Sequence, residues 1–267
     1  MMKQNWTTNN IPDLSGKVMV VTGGDSSLGY EIARTFALKG STTVIACRDI
    51  ETGERIRKEI ISQKEDAIVV VMPLELGDQL SVEQFAAAFN KAYDRLDVLM
   101  NISDQPGHIA LTRLLLARLA STPASRVVNL SLGEHKLKQK DFKRILRNNS
   151  LFTASKKKIG GFRWSNMVFT YELQRSFDQG QVNCRAVAAY PGPANRNLMR
   201  RVKNQWYWRL FKPVYKLFTG PDPRESALPG IRAALAGNVQ GGEYFGPGGF
   251  VEVNGYKSYN AVLHFVA

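Results

Sequence analysis

A short apolar run, Lys17–Thr22 (KVMVVT), passes straight into Thr22-Gly23-Gly24-Asp25-Ser26-Ser27-Leu28-Gly29 and then into the helical spacing of Gly29–Lys39. Length and β-branching make the run a buried strand, and Gly40 punctuates the end of the helix. A strand-to-helix turn this tight needs glycine, so that bare backbone can approach a bound pyrophosphate. The helix N-terminus then offers free N–H groups and a positive dipole end to the phosphates. A glycine motif alone is weak; one placed after the first strand and opening the first helix is strong.

The rest of the chain continues that alternation. Strands are expected at Thr43–Cys47, Ala67–Met72, Leu96–Asn101, Arg126–Ser131, Val182–Val187 and, briefly, Glu243–Phe245. Helices are expected at Glu51–Lys64, Val82–Tyr93, His108–Leu119, Phe162–Phe177 and Glu225–Ala236. Alternating β and α segments of these lengths define an α/β fold, a doubly wound parallel sheet with helices on both faces. No internal repeat and no Pro-, Gly- or Ser-rich linker divides the 267 residues, so one domain over 1–267 is expected.

Composition narrows the function classes. No run of eighteen apolar residues exists, and the polar start MMKQNWTTNNIPDLSG lacks an apolar signal core. Cys47 and Cys184 stand alone, as reduced thiols do in a cytoplasmic protein. The three histidines have no metal-ligand spacing, so no metal is expected. No GxSxG or Cys–His signature supports hydrolase chemistry. The net charge of +13 falls heavily between residues 136 and 216. With no nucleic-acid motif present, that charge reads as a solvated basic face beside a site for a polyanionic cofactor.

At the end of the second strand stands Arg48. An acid there would bind the ribose of NAD, whereas an arginine accommodates a 2′-phosphate, so the residue favours NADP. TGGDSSLG, VIACRD, LELGDQLSVEQF, LDVLMN, GHIALTRLL, RVVNLS, VFTYELQ, AYPGPANRNL and GGEYFGP follow one another in a familiar order. The chain resembles the short-chain dehydrogenase/reductase family, in its retinol-dehydrogenase-like branch, from Trp6 to about Tyr256. Turn and resemblance together imply a cofactor set of Gly23, Asp25, Ser26, Ser27, Leu28, Gly29, Arg48, Glu75, Leu76, Asn101, Arg163, Pro191 and Gly192. Two members depart from the family pattern. Ser27 replaces the middle glycine of the turn, and Glu75 stands where an aspartate usually holds the adenine.

The departures at the catalytic positions go further. The family uses a tyrosine as proton donor, a lysine four residues on, a serine on the fifth strand and an asparagine relay, beside a positioned hydride donor. The corresponding residues here are Ile159, Arg163, Leu132 and Asp104. A register-free test agrees: four residues beyond the nine tyrosines stand Arg34, Asp97, Arg175, Ala194, Phe211, Thr219, Gly248, Asn260 and Leu263, none of them lysine. Tyr171 lies too far along its helix to substitute, roughly 18 Å from Ile159 at about 1.5 Å per residue. Losing a positioned acid costs on the order of 10²–10⁴ in rate. The family also carries a stretch of about twenty residues after Asn101 that this chain lacks, which makes the connection a short one.

Remaining candidates are read from position. Tyr190, just beyond the sixth strand, and Asp104 are the polar groups that could handle a proton near the cleft, with Arg163 beside them. His108, at a helix start, reads as structural, and His135 after Glu134 as solvent-facing. The aromatic, basic segment 196–220 reads as a lid over a hydrophobic small molecule, with peripheral membrane contact or a partner protein as alternatives. Three functions stay open. The first is a non-redox enzyme of the cyclase or isomerase type acting on a hydrophobic metabolite. The second is a non-catalytic binding or partner subunit using the basic aromatic surface; in any of the three, pairing as a homodimer or with a catalytically complete relative is open. The third is an NADP-dependent oxidoreductase with an altered proton relay.

Overall fold

β1 (Val18–Thr22) is buried along its whole length, which is why its sequence shows no polar alternation. In the computed structural model, which describes residues 6–102, 107–130, 163–191, 222–246 and 263–264, β1 lies inside one sheet. The other strands are β2 (Thr42–Cys47), β3 (Val69–Pro73), β4 (Val98–Ile102), β5 (Ser125–Leu130), β6 (Cys184–Ala189), β7 (Glu243–Phe245) and β8 (Leu263–His264). Their order is β3-β2-β1-β4-β5-β6-β7-β8. Pairing is parallel from β3 to β7, as the α/β alternation requires. β8, two residues long, runs antiparallel to β7 at the edge of the sheet.

The helices among the described residues are α1 (Ser27–Leu38), α2 (Ile50–Gln63), α3 (Gln79–Ala92), α4 (Gly107–Leu114), α5 (Leu116–Ser121), α6 (Arg163–Gln179) and α7 (Pro223–Leu235). Strand alternation sends Met19 and Val21 to one face, with Ile32, Phe36, Ile60 and Ile231 from α1, α2 and α7. Val18 and Val20 go to the other, with Phe85, Phe89, Leu111, Leu119 and Phe177 from α3 to α6. Both faces of the sheet are therefore dry. That is the doubly wound fold expected from the sequence.

Element ends differ where local chemistry overrides the apolar pattern. α3 starts three residues before Val82, because Asp78 caps it by accepting from the Leu80 amide. The expected helix His108–Leu119 leaves helical geometry at Leu115 (φ −96°, ψ 1°), although Leu115 N still donates to Leu111 O. β6 begins two residues later than Val182, since Gln181 turns left-handed (φ 50°) and the Val182 amide closes back onto Phe177 O. The shift carries β6 to Ala189 and sets Tyr190 directly at its end.

Candidate functional site

The carboxyl ends of β1, β4, β5 and β6 form the edge where open α/β sheets bind ligands. At β1, Gly23 adopts a left-handed φ of 59° and donates to Ala46 O at 2.9 Å. A Cβ on Gly29 would collide with the Gly23 carbonyl, so α1 backs directly onto the turn. Ser26 closes the arrangement: its Oγ donates to Gly23 O at 2.7 Å and accepts from Gly29 N at 3.0 Å. Ser27 is the first residue of α1, exposed and without a left-handed φ, so serine fits the backbone that glycine usually occupies. Leu28 points into the core, leaving only its backbone to face a ligand. The turn keeps the cradle that only glycine permits, and the first-turn amides lie beyond the intrahelical ladder. These residues fit a pyrophosphate.

On the adenosine side, Arg48 follows β2 and Glu75 follows β3, joined by the register Cys47↔Pro73 and the bond from Leu74 N to Cys47 O. Their side chains meet: Arg48 Nη1 lies 3.5 Å from Glu75 Oε2. Glu75 Oε1 accepts from Gly77 N at 3.1 Å, and the Glu75 amide donates to Ser81 Oγ at 2.9 Å. Leu76 is half-buried against the α3 face. Its carbonyl stands where a Cβ on Gly107 would go, so α4 begins in direct backbone contact with this loop.

Between these ends runs a buried polar row. The Asn101 amide donates to Asn129 Oδ1 at 2.8 Å, and Asn129 donates to Thr170 Oγ1 on α6 at 2.8 Å. Thr170 in turn donates to Asn166 O at 2.6 Å. Thr22 Oγ1 accepts from Ile102 N at 2.9 Å and bonds His108 Nε2 at 2.9 Å. His108 is thus structural, as its place in the chain suggested. Asn101, expected to touch the cofactor, is fully buried, and its side-chain amide bridges β4 to β5.

At β6, the Tyr190 amide donates to Phe245 O at 2.7 Å, and Pro191 behind it is buried. Tyr244 pairs with Ala188, two residues before Tyr190, so both tyrosines belong to the α6 face. Burial first, and then Tyr190, push the Tyr244 hydroxyl well above the ordinary tyrosine range. Tyr244 escaped the sequence reading; the alternation in Glu243-Tyr244-Phe245 was its available signal. Arg163 opens α6. Asp104, Leu132, His135, Ile159, Gly192 and the 196–220 segment lie outside the described residues. Cys47 and Cys184 are free and buried, and burial pushes their thiols up to about 12 and about 11. Neither is a nucleophile at neutral pH. Among the described residues no helix is long and apolar enough to cross a membrane, and no cluster of metal-ligating side chains occurs.

Residues 17–105 match the short chain dehydrogenase family. Mouse retinol dehydrogenase 12 is 31% identical over 267 residues, which cover 89% of this chain and 79% of that protein. A structure from Mycobacterium paratuberculosis aligns with TM-score 0.62 and 27% identity, over 91% of this chain and 85% of that one. The Pseudomonas aeruginosa RhlG/NADP complex aligns with TM-score 0.66 at 16% identity, over 92% and 97%, a likeness of fold. The chain belongs to the short-chain dehydrogenase family, with retinol dehydrogenases among its relatives.

Proposed function

We propose that this chain binds NADP(H) and acts on a hydrophobic metabolite without the tyrosine–lysine proton relay of its relatives, by chemistry of the cyclase or isomerase type. The cofactor half rests on the glycine cradle of α1 and on Arg48 at the end of β2. The other half rests on one observation: no lysine follows any tyrosine by four residues anywhere in the chain. A bound NADPH would supply a hydride, and a reduced carbonyl would also need a proton at its oxygen. Leu132 and Ile159, at the family's serine and tyrosine positions, have no proton to give. In this reading Tyr190, with Asp104 and Arg163 as the resemblance aligns them, serves to orient or polarise a carbonyl or hydroxyl.

The substrate in this reading is a small hydrophobic molecule, in a cytoplasmic protein that pairs as a homodimer or with a catalytically complete relative. The test is calorimetry with NADPH and NADH, followed by incubation with retinoid and other apolar ketones, aldehydes and alcohols. Micromolar NADPH binding, no change in absorbance at the nicotinamide band, and a rearranged product of unchanged mass support the proposal. Steady NADPH consumption overturns its non-redox half. The kinship with retinol dehydrogenases favours that second reading, an oxidoreductase in which solvent or substrate supplies the proton. Binding of no small molecule at all would favour a partner subunit.

A further inference from the structure

The residues that would receive the adenosine end of a dinucleotide carry opposite charges and already engage one another. Arg48 is the more exposed, its side chain 81% accessible against 41% for Glu75. Glu75 is also the better fixed. One carboxylate oxygen accepts from the Gly77 amide in its own loop, and the other faces the guanidinium at 3.5 Å. An arginine at the end of β2 selects a 2′-phosphate, and a carboxylate held against that arginine from the end of β3 offsets its charge. This chain sets both on adjacent strand ends, through the register of Cys47 with Pro73.

We propose that Glu75 is the specificity-determining residue of this edge: its anchored carboxylate holds Arg48 and weakens the preference for a 2′-phosphorylated ribose over a plain one. A 2′-phosphate that takes Arg48 must displace Glu75 from it and then sits beside a carboxylate tied in place by Gly77. A ribose with a free 2′-hydroxyl meets no such opposition. The extra methylene of glutamate over the usual aspartate carries the charge out to the arginine. The inference rests on the dinucleotide reading above.

The test uses the full chain and two fragments that lack nicotinamide, adenosine 2′,5′-bisphosphate and adenosine 5′-monophosphate, titrated by calorimetry beside NADPH and NADH. Glu75→Gln keeps an acceptor for the Gly77 amide and removes the charge. It should tighten the 2′-phosphorylated ligands about fivefold, as expected for release of one exposed ion pair, and leave the others no tighter. Glu75→Asp, which draws the charge back by one carbon, should move the ratio the same way. In an Arg48→Ala background the Glu75→Gln effect should shrink, and raised salt should shrink it as well. Binding with an unchanged ratio in Glu75→Gln overturns this inference alone. Failure of wild type and Glu75→Gln to bind any of the four ligands overturns the dinucleotide reading, and this inference with it.

Discussion

The guanidinium of Arg126, on β5, donates to Ala233 O at 3.0 Å and to Ala236 O at 2.7 Å. It thereby closes the carboxyl end of α7, whose last carbonyls have no intrahelical donor. Burial pulls its pKa down to about 10, yet it stays charged at neutral pH. Arg126→Met should lose both bonds and leave the carbonyls unsatisfied. A loss of about 2–4 kcal/mol is expected in urea unfolding. Because Arg126 lies near the start of β5, at the end of the strand away from the cleft, NADPH affinity of the folded fraction should not change.

The buried thiols predict an alkaline limit to stability. Cys47 and Cys184 stay protonated when folded up to about 12 and about 11, but ionise near 9 when unfolded. The unfolded chain therefore holds fewer protons above pH 9, and stability falls as pH rises from there toward 11. Each thiol contributes about 1.4 kcal/mol of loss per pH unit in that window. Thermal unfolding followed from pH 7 to 11 should show the decline, and the Cys47→Ala/Cys184→Ala variant should show a shallower one.

Gly29 and Ser27 sit two residues apart and should respond in opposite senses. Gly29→Ala forces a methyl into the Gly23 carbonyl, so it should destabilise the fold by about 2 kcal/mol or more and weaken NADPH binding. Ser27→Gly removes an exposed side chain at the mouth of the turn. It should cost less than about 1 kcal/mol of stability and tighten NADPH several-fold by calorimetry. Unchanged affinity in Ser27→Gly would mean the serine does not narrow the pyrophosphate path.

The polar row predicts coupling between strands and α6. Asn129→Ala removes the acceptor of the Asn101 amide and the donor to Thr170 Oγ1 at once, and about 1–3 kcal/mol of destabilisation is expected. Thr170→Ala should add little in the Asn129→Ala background, a non-additivity that a double-mutant cycle reads directly.

Much of the fold was legible because β1, β2 and β4 are buried almost throughout and so read as short, largely apolar runs. The start of α3 at Gln79 was not, since it depends on Asp78 capping and not on an apolar residue. β6 was misplaced because Val182, apolar and β-branched, is consumed by the turn after Gln181. In the site, the glycine turn could be read from residue types alone. The Arg48–Glu75 pair could not, since it exists only through the pairing of β2 with β3. Tyr244 was hidden for the same reason: nothing in its neighbourhood along the chain announces that β7 lies beside β6.

Only four residues separate Ile102 from Gly107, and α4 starts with its backbone against the Leu76 carbonyl. No side chain can be added at position 107 without moving the β3–α3 loop that carries Glu75. Position 107 is therefore a coupling point: the residue that opens α4 and the loop that presents Glu75 share one contact, so a side chain placed at the first would be felt at the second.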